Sequence, residues 1–277
     1  KMRGSQNFAE IYDIIHPLQP MEKPRPIRTT GYYHRHQELG GFFLEASGYE
    51  RAQWFESNKD LVSKYPTPQR DEWSSMYWSP IVAAEAAHVS ENVGIFDITP
   101  LKRIEVKGKG ALEFLMEQTT GKLDKAPGSV TYCLMLTDKA GILSDITVTR
   151  LGENHFVIGA NSAIDSARLE MAAPDNVFVN DITAGTVAVG LFGPHARKVV
   201  QKLTNDDLSH EAVGYFKAKQ TYLDQVPATL WRLSYVGESG YEIYTTADFA
   251  LKLWDTLMEA GAEFNIRPAG RGAYNSM

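Results

Sequence analysis

The chain has 277 residues, 43% of them apolar and 22% charged, and carries a net charge of −6. That balance fits a globular protein of one large or two smaller domains. It offers no basic excess for nucleic acid or an anionic membrane surface, and no apolar run approaches the roughly 18 residues a spanning helix needs. The single cysteine, Cys133, lies in an apolar stretch. It excludes an intrachain disulfide and a Cys-rich zinc site, and reads as a buried core thiol in a reducing compartment, cytoplasm or mitochondrial matrix.

In chain order, Phe8, Ile11, Tyr12, Ile14 and Ile15 recur at helical spacing. His16-Pro17 ends that helix, because the residue before proline avoids the α region. Residues 17–30 hold Pro17, Pro20, Pro24 and Pro26 among charged residues, a linker-like extended arm. A short helix closes at Gly40, a good C-cap, and a strand and a turn follow. His34 and His36 stand at strand spacing, but no third ligand is near, so no metal site is assigned. Residues 56–80, with Pro66, Pro68 and Pro80, read as a loop anchored by Trp54, Trp73 and Trp78.

A helix is expected over residues 81–93, ended by Gly94, then a short strand or turn at 95–98. Arg103-Ile104-Glu105-Val106-Lys107 alternates as a half-buried strand. Residues 110–118 predict a helix with Ala111, Phe114 and Leu115 inward. Tyr132 to Leu136 is an apolar strand, Thr137 to Gly141 a turn, and Ile142 to Val148 a second strand. Asp145 in that strand is anomalous, since Asp is depleted in strands and a buried carboxylate must be paired. It is either an edge residue facing water, with Ser144 inward, or a carboxylate at a pocket rim. Gly159, inside the strand 155–160, suggests a bulge or a ligand needing backbone access. Residues 161–172 form a helix capped by Asn161 or Ser162. Strands follow at 177–181 and 186–193, then a helix at 195–203 and a polar stretch at 205–228. Residues 228–236 and 241–244 are strands around a Gly-rich turn, and 247–260 an amphipathic helix. The order of elements suits two ferredoxin-like α+β units.

Several blocks carry a resemblance. Tyr132-x-x-Met135-Leu136 through Gly141-Ile142-Leu143-Ser144-Asp145-Ile146-Thr147-Val148 resembles the folate-binding domain of the glycine-cleavage T-protein (aminomethyltransferase) superfamily. Four more follow in that family's order: Glu85 with Val93-Gly94-Ile95-Phe96-Asp97-Ile98-Thr99, Leu191-Phe192-Gly193-Pro194-His195-Ala196, Ser234 to Ile243, and Gly272 to Met277. The N-terminal pattern, Arg28-Thr29-Thr30, Gly40-Gly41-Phe42-Phe43, Gly48-Tyr49-Glu50-Arg51 and Trp54-Phe55, resembles the dimethylglycine and sarcosine dehydrogenases. There such a segment links a flavin domain to the folate domain; the chain itself has no Gly-x-Gly-x-x-Gly dinucleotide turn.

The resemblance implies an α+β, aminomethyltransferase-like folate-binding fold. Residues 1–79 would be an arm adjoining a missing flavin domain and residues 80–277 the folate-binding domain, its C-terminal barrel not included. It implies Asp145 as the catalytic aspartate beside the folate nitrogens, with Tyr132, Gly159, Glu238 and Tyr241 also on the ligand. Glu238 is ranked above Glu242 as the acceptor for the pterin edge; the bland alternatives are a solvated turn glutamate and a core tyrosine at 132. Ser144 replaces the first of two adjacent aspartates common in T-proteins, and Tyr274-Asn275 replaces their Arg-Asp. Both departures point towards amine demethylation. The implied enzyme is an oxidative N-demethylase of dimethylglycine or sarcosine type, using tetrahydrofolate here and FAD in the missing domain or subunit, and yielding 5,10-methylenetetrahydrofolate. The alternatives are a stand-alone tetrahydrofolate-dependent methyltransferase or demethylase, and a non-catalytic regulatory paralogue.

Overall fold

Two β-sheets face each other, and each has helices packed on its outer side. The structure, a computed structural model, describes residues 1–67 and 69–277; the loop proline Pro68 lies outside the described residues. The chain opens with helix α1 (Met2–Glu10), the arm, helix α2 (Tyr33–Glu38) and the hairpin β1 (Gly41–Ala46) and β2 (Tyr49–Phe55). Helices α3 (Leu61–Lys64) and α4 (Ile81–Glu91) lead to strand β3 (Val93–Asp97).

The rest is one pattern used twice. The first copy runs β4 (Lys102–Lys107), α5 (Ala111–Gln118), β5 (Val130–Leu136), β6 (Ile142–Gly152), β7 (His155–Ala160), α6 (Ala163–Ala172) and β8 (Phe178–Asp181). The second runs β9 (Thr186–Phe192), α7 (Ala196–Gln201), β10 (Lys217–Leu223), β11 (Val226–Arg232), β12 (Gly240–Thr246), α8 (Ala250–Gly261) and β13 (Ile266–Pro268). Helix α9 (Arg271–Ser276) follows. The sheet orders are β5-β6-β7-β4-β8 and β10-β11-β12-β9-β3-β13. They are the same order, with β3 inserted between β9 and β13. Each copy is a ferredoxin-like unit with one added edge strand, β5 or β10.

Each unit buries its apolar stripe against its own helices. In the first, Ile104, Val106, Cys133, Ile146, Val148 and Ile158 pack on Phe114, Leu115 and Leu169. In the second, Ile95, Val189, Leu191, Leu230, Tyr241 and Ile243 pack on Val199, Leu253, Trp254 and Leu257. Tyr32, fully buried, joins that second core.

The sequence reading missed β10. Lys217, Lys219 and Gln220 break any apolar run, as suits an edge strand that must not recruit partners. It also missed β2, β13 and α9, and it drew the first helix too long. Helix α1 buries no residue, and Phe8, Ile11, Tyr12, Ile14 and Ile15 are exposed. His34 and His36 lie on α2, not on a strand; His36 is buried among Phe55 and Trp254.

One carboxylate knits the N-terminal hairpin to the body. Glu85 on α4 is 1% exposed. It accepts hydrogen bonds from Phe55 N (2.9 Å), Asn58 Nδ2 (2.8 Å) and Gly270 N (2.8 Å). Glu85→Ala strands those buried donors, so we expect a loss of about 3 kcal/mol, read from urea unfolding midpoints. A loss below about 0.5 kcal/mol, the range of ordinary surface changes, would remove Glu85 from this role.

Candidate functional site

The inner faces of the two sheets meet. Strand pairing places Tyr132, Thr147, Gly159 and Arg103 in one row across β5, β6, β7 and β4. Side chains opposite each other in a ladder share a face. Asp145, two residues before Thr147, stands on that face too. The facing row crosses β11, β12, β9 and β3 as Trp231, Glu242, Gly190 and Phe96. The rows touch where a Cβ on Gly159 would lie 3.9 Å from the Trp231 ring. Trp231 stacks on Tyr244 at 4.3 Å between centroids, and Tyr274 packs on Phe96 at 5.4 Å and lies parallel to Tyr235 at 5.3 Å. The result is an aromatic-walled seam with one acid on each side. On the flank of Glu105, His155 and Tyr222 it opens into a cleft of about 590 Å³, whose inner wall includes Arg103, Trp231 and Tyr244.

Asp145 is solvent-exposed but held. Asn161 Nδ2 donates to Asp145 Oδ1 (3.0 Å) and to its backbone carbonyl (2.8 Å), and Tyr132 Oη reaches Oδ2 at 3.3 Å. Asn161 is itself fixed. Its Nδ2 also meets Ser144 Oγ at 3.2 Å, and its backbone N–H donates to Asp165 Oδ2 at 3.1 Å. The same Asp165 oxygen accepts from Ser144 Oγ (3.1 Å) and Ser162 N (3.0 Å). The acid that caps α6 thus anchors the chain of hydrogen bonds that ends on Asp145. The first of the two sequence alternatives holds: Ser144 is inward and buried, and Asp145 faces solvent.

Glu242 is the opposite case. It is 7% exposed and accepts from Tyr244 Oη. Burial pushes its carboxyl up to about 7, against the pull of the Tyr244 hydrogen bond and the positive charge of Arg103. Arg103, 2% exposed, donates to Leu101 O (2.7 Å), Thr183 O (2.9 Å) and Thr186 Oγ1 (2.7 Å). Burial and the Glu242 charge together push the Tyr274 hydroxyl up.

The structure brings Asp145, Tyr132 and Gly159 together on one face, and it corrects the placement of the other two predicted residues. Tyr241 points the other way: it pairs with Leu191, is 1% exposed and belongs to the outer core. Neighbours in a strand face opposite sides, so Tyr241 and Glu242 cannot both reach the seam. Glu238, ranked first, lies in the turn before β12, where Ser90 Oγ donates to it at 2.8 Å. Glu242, ranked second, is the acid in the seam. Gly159 is no bulge, because its pairing runs on unbroken to β4 and β6. A Cβ there would lie 2.7 Å from Thr147 Oγ1, so the neighbouring strand requires the glycine. Sequence reasoning missed Asn161 as the partner of Asp145 and Arg103 as a buried cation. Alternation gave no signal for Arg103, which shares its face of β4 with Glu105.

A two-unit α+β fold with an acid-bearing, aromatic-walled seam defines a class, and comparison with known proteins agrees. Residues 32–277 match the GCVT N-terminal domain, and the chain belongs to that family. Residues 1–30 match the FAD dependent oxidoreductase central domain. The chain is 33% identical, over its whole length, to a 4-methylaminobutanoate oxidase (formaldehyde-forming) of Paenarthrobacter nicotinovorans, covering 34% of that protein. It is 29% identical, again over its whole length, to the mitochondrial dimethylglycine dehydrogenase of Homo sapiens, covering 32% of it. The chain thus spans about a third of the length of these relatives. Its fold is aminomethyltransferase-like: the glycine cleavage system aminomethyltransferase T of Bartonella henselae superposes with a TM-score of 0.73 at 25% identity, over 90% of this chain and 61% of that one.

Two outcomes test the site's physics. Glu242 titrates near 4.5 in the unfolded chain and about 7 when folded. The folded protein therefore keeps a proton that the unfolded chain has released, and this group's contribution to stability falls as pH rises through that window. Glu242→Gln has no such proton, so variant-minus-wild-type stability should rise from about pH 5 to about pH 7.5 in urea titrations. A difference that stays flat would contradict the burial account. Asp165→Ala should cost about 2–3 kcal/mol by stranding its donors; a near-neutral midpoint would mean the cap does not anchor this network.

Proposed function

We propose that this chain is the tetrahydrofolate-binding part of a flavin-dependent N-methyl amine dehydrogenase. The carrying observation is the pair of acids on facing sheets, one buried and one held at an open rim. Residues 80–277 are the folate-binding unit. Residues 1–79 are the arm that adjoins a flavin domain or subunit, and their Tyr32, Trp54 and Phe55 are buried against that unit. The match of residues 1–30 to an oxidoreductase domain supports this arrangement. Flavin, bound outside this chain, supplies the oxidation of the methyl group. The cytoplasm or the mitochondrial matrix suits both cofactors.

The residues divide the work by environment. A pterin edge presents adjacent N–H donors, and an ionised Glu242 accepts two of them at once. Trp231, Tyr244 and Tyr274 offer flat apolar walls for the ring. The released one-carbon unit, as formaldehyde or an imine, condenses with two folate nitrogens to give 5,10-methylenetetrahydrofolate. Water or amine leaves, so a proton must reach the departing oxygen or nitrogen. Asp145 holds that position as general acid and base. Asn161 fixes one of its oxygens and leaves the other, shared loosely with Tyr132, for the ligand. Keeping oxidation and capture in one particle raises the local concentration of a reactive intermediate.

Calorimetric titration of tetrahydrofolate into the 277-residue chain tests this directly. We expect saturable binding in wild type and about tenfold or greater weakening in Glu242→Gln, which loses a charge-assisted acceptor. Asp145→Asn should bind tetrahydrofolate nearly normally yet slow formaldehyde capture by about 10²- to 10⁴-fold. Absence of binding at high micromolar tetrahydrofolate would overturn the proposal.

A further inference from the structure

A separate cavity lies where the N-terminal hairpin meets α9. Its volume is about 40 Å³. A water molecule needs about 10–15 Å³ on this measure, so the cavity takes about three heavy atoms, the size of a carboxylate group. Phe96, Leu101 and Tyr274 give it apolar walls, and Arg51 of β2 and Arg271 of α9 give it cations. Arg25, Arg35 and Arg267 each pair with a carboxylate. Arg51 and Arg271 pair with none among the described residues, and Arg51 Nε is buried without a partner. His36 lines the same cavity, is 2% exposed, and has a buried Nε2 that no group satisfies. A buried polar group without a partner is costly, and the unpaired Arg51 N–H calls for an acceptor.

The one acid in the lining, Asp97, is already engaged. Thr30 Oγ1 donates to its Oδ2 at 2.6 Å and Thr99 N to its Oδ1 at 2.9 Å. Its Oδ2 also lies 4.0 Å from His36 Nδ1, and it forms no ion pair with Arg51 or Arg271 among the described residues. Guanidinium is the side chain best shaped to hold a carboxylate, through two parallel hydrogen bonds.

We propose that Arg51 and Arg271, with His36, form a binding site for the carboxylate of a small aliphatic amino acid or N-methylamino acid. The site itself stands on the unpaired cations and the orphaned imidazole. The identity of the acid rests on the function proposed above, whose relatives are named for 4-methylaminobutanoate and dimethylglycine, both carboxylates. Tyr274 is a shared wall: it lines this cavity and packs on Phe96 in the row of Glu242. An acid anchored here lies one aromatic ring from the seam. The demethylated product, or the intermediate still carrying the one-carbon unit, is thereby held next to the folate site by the end that does not react. Folate's glutamate tail carries the same chemistry, so the test must separate the two.

Saturation-transfer NMR on the full 277-residue chain, with sarcosine and glycine as probes and methylamine as the carboxylate-free control, makes the test. The expected result is a saturable signal for sarcosine and glycine and none for methylamine. Arg271→Gln, at an exposed position that folding does not need, should weaken sarcosine about tenfold or more and leave tetrahydrofolate affinity unchanged. Arg51→Gln should do the same where it folds. Equal sarcosine binding by Arg271→Gln and wild type would overturn the site. So would a loss of tetrahydrofolate affinity in Arg271→Gln that tetrahydropteroate, which lacks the glutamate, does not share; the cations would then belong to the folate tail. Sarcosine binding as expected in a chain that binds no tetrahydrofolate would support this site and sink the function proposed above.

Discussion

The buried guanidinium of Arg103 is the constraint on which the rest depends. It starts on β4 in one sheet and is bonded to Thr183 and Thr186 at the opening of β9 in the other. A charge taken out of water must be hydrogen-bonded, or it costs several kcal/mol. Here backbone carbonyls and one threonine hydroxyl meet that need, and no carboxylate among the described residues pairs with it. The two units are therefore held face to face by a cation whose charge is not neutralised on contact. That charge acts through space on Glu242 across the seam. Arg103 also donates to the carbonyl of Leu101, a residue that lines the second cavity.

From this follows a division of labour between two acids that sequence alone cannot separate. Glu242 is buried against tyrosine and tryptophan, and its carboxyl sits near neutrality. Asp145 stands in water, with an amide on one oxygen. Acids set apart by environment in this way take different roles in one reaction. The Asp165–Ser144–Asn161 network gives a physical meaning to the serine that stands where T-proteins often carry an aspartate. Ser144 is buried, faces inward and donates to Asp165. A second carboxylate there would face Asp165 at hydrogen-bond distance, and like charges so placed repel.

Much of the fold was legible. The apolar runs at 132–136, 142–148 and 186–193 and the helical spacing at 247–260 appear as expected, because burial on one face imposes a period. The edge strand β5 keeps its apolar run, but Lys217, Lys219 and Gln220 interrupt the edge strand β10, which is why β10 was invisible. Side-chain placement was legible only as far as alternation reached. Alternation puts Tyr241 and Glu242 on opposite faces, but the face that looks outward depends on which helices cover the sheet, and that is a tertiary fact. The preference for Glu238 came from the turn's resemblance to a family motif, whereas the geometry turns on strand phase. Asn161 and Ser162 were the two candidate helix caps, and Ser162 is the cap. Asn161 sits one residue before it, and its real work on Asp145 depends on the pairing of β6 with β7.

The central claim is that the seam between the two sheets is shaped for a reduced pterin. A crystal structure of the chain grown with tetrahydrofolate tests it most directly. The account predicts a pterin ring between the Trp231–Tyr274 wall and the Asp145–Tyr132 face, its amino edge within hydrogen-bond distance of Glu242. A pterin seated instead in the outer cleft beside Glu105 and Tyr222, with Glu242 untouched, would contradict it.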